Sequence, residues 1–278
     1  MIPEHQFTLT SVETVARATK LFRFTRPEGF AYQSGQFVSI RFTDKAFRAY
    51  SIASHPDEEF IELLVRIVPG GLGSTVLDAA KVGDEFSFRG AFGRFGLSEN
   101  PEAHLVFCCT GTGIAPFRSM IMAEGGNSLV MGKELRGLRA QELKSRKMTL
   151  LYGGRDAEDI AYLDEIGTWA DGLEVKLGLS RQNIEEGELK NKKEEIRVAP
   201  LIKGEASKTF ETQEAGGFDS NWHIANTRIT HFLKDDQYSA DSNHEFYICG
   251  NGDMVQSVRE ILDAKGISKN RIYQERFN

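Results

Sequence analysis

The sequence predicts two domains. An antiparallel β-barrel occupies residues 1–100, and a doubly wound α/β parallel sheet occupies residues 101–278. Three observations predict this. Before Pro101, short runs rich in Thr, Val and Phe are separated by Gly turns, as in small barrels. After Pro101, continuous apolar runs alternate with helix-like stretches, the rhythm of βαβ units. The first of those runs, HLVFCCTG, ends in Gly, as a buried parallel strand does at its turn.

In order, the barrel strands are read from FTLTSVETVARATKLFRFTRP, SGQFVSIRF, RAYSIAS, EFIELLVRIV and KVGDEFSFRGAFGRFGL. GSTVLDAA interrupts them as a helix, with Ser74 or Thr75 as its N-cap. In the second half HLVFCCTG, MTLLYGG, LEVKLGLS and HEFYICG read as buried strands. APFRSMIMAEGG, AEDIAYLDEIGTWA, ANTRITHFLKD and GDMVQSVREILDAKG read as helices. Residues 183–222 are charge-dense with little periodicity. They read as an insertion, either a flexible surface segment or an ordered flap that gates the neighbouring site or docks a partner.

Composition narrows the function classes. The chain has 278 residues and a formal net charge of −6 with no long basic run, which argues against nucleic acid as a partner. Its three cysteines are too few for a Cys₄ iron–sulfur cluster, and no metal site is expected. Electron transfer in this chain would use an organic cofactor or a separate carrier. No signal-peptide pattern and no run of about 18 apolar residues is present. The expectation is a soluble cytoplasmic protein with no membrane span.

Several stretches carry chemistry. RAYS, Arg48 to Ser51, is either an ordinary edge strand or a flat-ligand site. In the second case Arg48 meets a phosphate, Tyr50 stacks on a ring and Ser51 reaches the ring edge. TGTG, Thr110 to Gly113, lies where a doubly wound sheet binds ligands, with backbone N–H groups and a helix N-terminus facing a phosphate. CGNGDM repeats that logic at a later strand end, with Cys249 as either a small buried hydrophobe or a neighbour of a ring. Arg155 and Arg181 follow strand ends, and Arg228 lies in NTRIT. Each is a surface charge or a phosphate ligand.

The ordered set RAYS, GLGST, GTGIAPF, LLYGGRDAEDIAYLDE, LSR, CGNGDM and YQERF resembles the ferredoxin–NADP reductase family, most closely its bacterial type. The resemblance covers the chain outside 183–222. It implies a flavin-binding barrel, an NADP-binding α/β domain, and the cofactors FAD and NADP(H). It implies FAD-dependent electron exchange between NADPH and a one-electron carrier, ferredoxin or flavodoxin, by hydride transfer at flavin N5. Ser51, Cys249 and Glu275 are then catalytic. Arg48, Ala49, Tyr50, Ser51, Val65, Ile67, Gly73, Ser74, Thr75 and Phe277 hold the flavin. Thr110, Gly111, Thr112, Gly113, Pro116, Arg155, Ser180, Arg181, Arg228, Cys249, Gly250 and Met254 hold the nicotinamide dinucleotide. The insertion separates Arg181 from Arg228, which lie a short turn apart in the family. The same two domains also serve reductase components of oxygenases and free-flavin reductases and, outside catalysis, flavin-binding sensors or subunits.

Overall fold

A computed structural model describes residues 3–126, 146–181 and 221–277. The first domain holds strands β1 (Glu4–Ala16), β2 (Thr19–Thr25), β3 (Phe37–Arg41), β4 (Phe47–Ser51), β5 (Phe60–Arg66) and β6 (Glu85–Phe92). All pairings are antiparallel, in the order β4-β3-β6-β1-β2-β5. A bridge from Ile52 to Leu63 joins the end of β4 to β5 and closes the barrel. The period-two pattern explains the filling. Phe22 and Phe24 of β2 and Phe86 and Phe88 of β6 point inward, and Phe7 stacks on Phe88 at 4.2 Å.

Helix α1 (Leu72–Ala79) covers one end of the barrel. Its N-cap is Gly71, three residues before Ser74, the earlier of the two caps that the sequence predicts. Ser74 does not cap it. Its hydroxyl accepts the Val68 N–H at 3.0 Å and donates to the Arg66 carbonyl at 3.3 Å, tying the helix to the end of β5.

The second domain holds β7 (His104–Thr110), β8 (Met148–Gly154), β9 (Glu174–Leu179), β10 (Trp222–Ala225), β11 (His244–Asn251) and β12 (Ile272–Phe277), with helices α2 (Ile114–Gly125) and α3 (Gly252–Ala264). All six strands are parallel, in the order β10-β9-β8-β7-β11-β12. Both faces are covered, which is why the strands read as unbroken apolar runs. Leu105, Phe107 and Cys109 of β7 pack toward α2, and Val106 and Cys108 pack toward α3.

Three expectations need correction. AEDIAYLDEIGTWA is not an α-helix but two 3₁₀ turns, Ala157–Asp159 and Ile166–Thr168. Asp156 and Asp159 close the first turn as a capping box. Ile160, Ala161 and Tyr162 are then buried in succession, with Tyr162 at φ +63°, so no amphipathic face forms. ANTRITHFLKD forms a 3₁₀ turn at Ile229–Lys234. Trp222 opens β10 and so lies outside any irregular insertion; apart from Asn221 and Trp222, the 183–222 stretch falls outside the described residues.

A buried ion network binds the two domains. Arg118 of α2 donates to Glu62 of β5 at 2.8 Å, to the Ala53 carbonyl at 3.0 Å and to Glu165 at 2.7 Å. Arg118 and Glu62 are 3% and 1% exposed, so deleting either partner strands a buried charge at a cost of about 3–5 kcal/mol. Among the described residues, no helix is long and apolar enough to cross a membrane.

Candidate functional site

In the parallel sheet the chain steps outward from β7 to β10 and then returns to place β11 beside β7. The carboxyl ends of β7 and β11 therefore part at a topological switch point, where such sheets bind ligands. Two glycines let the loops there interlock. A Cβ on Gly113 would overlap the Cys249 carbonyl, and a Cβ on Gly250, at φ +146°, would meet Thr110 Oγ1 at 2.7 Å. Gly113 thus serves loop packing. Gly111, at φ +54° with open space around it, is the glycine of the turn that is free to face a ligand.

A cavity of about 920 Å³ opens here between the two domains, large enough for extended dinucleotides. On the barrel side it is lined by Arg48, Ala49, Tyr50 and Ser51 of β4, Val65 of β5, and Gly73 and Ser74 of α1. On the other side lie Thr110, Gly111, Thr112, Arg155, Ser180, Arg228, Met254 and Phe277. These residues, as far apart in sequence as Arg48 and Phe277, are brought to one space by the packing of the barrel on the sheet edge.

The remaining selected residues do not line that cavity. Ile67 packs against the barrel core, and Thr75 is exposed on α1. Pro116 is buried in the first turn of α2. Arg181 stands next to the cavity, its N–H donating to the Arg155 carbonyl at 3.0 Å, while Ser180 N–H donates to the Gly154 carbonyl at 3.1 Å. These bonds hold the turns after β8 and β9 side by side.

Cys249 and Glu275 lie just behind the cavity wall. They are register partners on β11 and β12, and Cys249 is also the register partner of Cys109 on β7. Burial, and then the charge of Glu275, push the Cys249 thiol well above its ordinary range, so it is a neutral packing group. Burial also raises the Glu275 carboxyl, against a hydrogen bond from the Ser51 hydroxyl that lowers it. Ser51 of the barrel, Glu275 of β12 and Cys249 of β11 therefore meet across the domain boundary.

The unmet polar groups mark the site. Thr110 Oγ1 and Glu275 Oε2 are buried without a hydrogen-bond partner among the described residues. Among the described residues, the Arg48 guanidinium hydrogen-bonds only the carbonyl of its own neighbour Phe47, at 2.8 Å. Tyr50 meets Phe42 edge-on at 6.4 Å, and burial pushes its hydroxyl up to about 12. A Cβ on Gly73 would overlap the Tyr50 hydroxyl, so only glycine lets α1 start against this ring. Guanidinium groups, an aromatic ring and backbone turns at helix starts fit a flat ring carrying a pyrophosphate.

Sequence reasoning omits Arg17, Arg66, Asn251, Asp253 and Ser257, which also line the cavity. Strand alternation marks Arg66, which faces opposite to Val65 and Ile67. Asn251 is legible as the N-cap of α3, where its side chain accepts the Met254 N–H at 2.8 Å. Arg17 carries no local signal.

Comparison with known proteins agrees with this geometry. Residues 6–96 match the oxidoreductase FAD-binding domain, and residues 107–213 match the oxidoreductase NAD-binding domain. The chain is 32% identical over 182 residues to ferredoxin–NADP reductase B of Sorangium cellulosum, covering 62% of this chain and 68% of that protein. It is 25% identical over 256 residues to the reductase component of propane 2-monooxygenase from Rhodococcus jostii, covering 90% of this chain and 57% of the relative. The chain spans less than two thirds of the length of such oxygenase-reductase relatives. A ferredoxin NADP⁺ reductase from Neisseria gonorrhoeae, solved with bound FAD and NADP, shares the fold. Its TM-score is 0.69 at 19% identity, over 98% of each chain. With FAD-binding and NAD-binding domains in this order and the Sorangium relative matched over most of its length, the chain belongs to the ferredoxin–NADP reductase family of oxidoreductases.

Proposed function

We propose that this oxidoreductase uses FAD to pass electrons between NADPH and a separate one-electron carrier, a ferredoxin or flavodoxin. The observation that carries the reading is the meeting of Ser51, Glu275 and Cys249 at the switch point, beside a cavity that runs to Arg155 and Arg228. FAD, when bound, supplies the exchange between two-electron and one-electron chemistry.

The chain's own residues do the rest. The proposed division places the flavin-binding domain at 1–100 and the NADP-binding domain at 101–278. Arg48 and the start of α1, Gly73 to Thr75, bind the flavin pyrophosphate. Tyr50 and Phe277 border the ring from β4 and β12. Val65 borders the ring from β5, with Ile67 behind it against the barrel core. Thr110, Gly111 and Thr112, with Gly113, Pro116 and the start of α2 behind them, receive the pyrophosphate of the dinucleotide. Gly250, Met254 and the neutral Cys249 thiol shape the pocket for the nicotinamide. Glu275 holds a proton to a higher pH than an ordinary carboxyl, and the Ser51 hydroxyl links it to the flavin side. Arg155, Ser180, Arg181 and Arg228 favour a 2′-phosphate, because guanidinium groups match phosphate and NAD sites commonly offer a carboxylate to the ribose.

A second reading is the reductase component of an oxygenase. It is favoured by the propane and xylene monooxygenase relatives, which match 89–90% of this chain. The cofactor residues are the same in both readings and only the acceptor differs. The three cysteines of these 278 residues cannot supply a Cys₄ cluster, so either acceptor is a separate redox group. Steady-state reduction of a ferredoxin, a flavodoxin and free FMN by the NADPH-reduced protein separates the readings. The proposal expects faster turnover with a protein carrier than with free FMN, weakening with salt. Turnover with free FMN alone, or only with an oxygenase component, rejects it.

A further inference from the structure

Arg17 lies in the turn between β1 and β2, on the barrel, and lines the same cavity as Arg155, Ser180 and Arg228. Its guanidinium reaches across to the other domain. Nη1 lies 3.0 Å from Asp156 Oδ2 and 3.6 Å from Asp159 Oδ1, and Nη2 lies 2.9 Å from Glu158 Oε2. Its backbone N–H donates to the Glu158 carbonyl at 2.7 Å. The turn that it grips follows Arg155 directly. Asp159 Oδ2 in turn accepts the backbone N–H groups of Arg155, at 3.0 Å, and Asp156, at 3.3 Å.

Arg17 is 47% exposed, and ion pairs this exposed contribute little to stability. Their effect here is on charge and place. An anion approaching Arg155 meets three carboxylates within four residues, and no other basic group belongs to that turn. These charges lie within a Debye length of one another, so salt does not erase them. Arg17 both offsets that charge and fixes the turn to the barrel hairpin, by side chain and backbone together.

We propose that Arg17 is a positioning residue for the phosphate monoester on the ribose of the dinucleotide: it neutralises and anchors the acidic turn 156–159, which leaves Arg155 free to meet the phosphate. The inference rests on the reading of Arg155 and Arg228 as 2′-phosphate ligands. It makes the first hairpin of the barrel part of cofactor discrimination, although that hairpin belongs to the other domain.

The test is calorimetric binding of 2′-phospho-AMP and of 5′-AMP to the FAD-loaded protein. Arg17→Gln is expected to weaken 2′-phospho-AMP about tenfold and 5′-AMP less than about twofold, as loss of one offsetting charge near a phosphate should. Arg17→Lys, which keeps the charge without the fork, falls between. Glu158→Gln added to Arg17→Gln recovers part of the loss, because it removes one unmatched carboxylate. Unchanged 2′-phospho-AMP affinity in Arg17→Gln overturns the inference. Equal weakening of both ligands, with no recovery on adding Glu158→Gln, also overturns it and marks a merely structural role. If the unaltered protein binds the two ligands equally and Arg155→Ala changes neither, the phosphate-site reading itself fails and the inference falls with it.

Discussion

The two ends of the parallel sheet are built from the same strands and treat charge in opposite ways. At the amino ends of β7, β8, β9 and β11, polar groups answer one another. Thr149 donates to Glu174 at 2.8 Å, so His104 Nε2–H must be the donor to Thr149 Oγ1, also at 2.8 Å. Lys176 lies 3.1 Å from the same carboxylate. Burial opposes ionisation of Glu174, but Thr149 and Lys176 outweigh it and hold the carboxyl below its usual range. Left over are the Tyr238 hydroxyl and His244, whose ring lies tilted 4.5 Å from that of His104 and whose nitrogens have no hydrogen-bond partner among the described residues. Burial pushes His244 down to about 4, with the charge of His104 adding to the effect, so it is neutral at physiological pH.

At the carboxyl ends the leftovers include charged and proton-holding groups: Arg155 and Arg228, joined by Arg48 of the barrel, face a cavity, and buried oxygens of Thr110 and Glu275 lie beside it. A neutral ring can stay unmatched inside a protein. Guanidinium groups and a carboxyl gathered at a switch point are left for something else to match. The comparison teaches that the sign and state of the unsatisfied group, more than its presence, separates structural clusters from binding sites.

Substitutions that affect one end and spare the other sharpen this contrast. The largest effect is expected for Arg48→Ala, which should weaken FAD retention about a hundredfold through loss of a charge-assisted phosphate contact, with the fold intact. Flavin content after dialysis, beside circular dichroism, checks it. Retained flavin would break the contrast by making Arg48 an ordinary surface residue.

Glu275→Gln should slow turnover with the electron carrier about tenfold, less than the ~10²–10⁴-fold typical of general acid–base catalysis, because the Ser51 hydroxyl stays in place. The sign of its pH dependence follows from the raised carboxyl. The protonated form persists above the usual carboxyl range and is lost as pH rises through the folded value, so turnover should fall over that window. The Gln variant should lose this limb, and a profile that keeps it would remove Glu275 from proton supply.

At the opposite end, His244→Phe should alter stability and leave flavin reduction alone. The folded value is depressed from 6.5, so the associated stability is complete above the unfolded value and is lost as pH falls toward about 4. Glu174, also depressed, adds in the same direction at lower pH. Replacing the imidazole should remove about 1–2 kcal/mol of the acid-induced loss between neutral pH and pH 4. Urea unfolding at several pH values checks this, and a changed rate of flavin reduction would break the contrast between the ends.

Much of this site is legible in the sequence because its chemistry is carried by local pattern. RAYS on a strand and glycines after apolar runs declare their positions through periodicity and turn chemistry, whereas YQERF, with Glu275 and Phe277, is singled out by its resemblance to the family. What is not legible depends on tertiary contacts. The 157–170 stretch has helical spacing on paper, but successive burial of Ile160, Ala161 and Tyr162 flattens it into turns. Ser74 sits where a cap is expected, yet the helix starts earlier because Gly71 reaches the cap position and the Ser74 hydroxyl is used by β5. Gly113 reads as a phosphate glycine, while the space it leaves is filled by the Cys249 carbonyl. Arg17 looks like any hairpin arginine until the second domain brings three carboxylates to it.

The central claim is that the switch-point cavity takes NADPH, selected by its arginines, against the flavin. Anaerobic stopped-flow bleaching of the flavin band by NADPH and by NADH tests it most directly. The account predicts that NADPH reduces the flavin at least about tenfold more efficiently, and that Arg155→Ala erases most of that difference. Reduction by NADH as fast as or faster than by NADPH would contradict it.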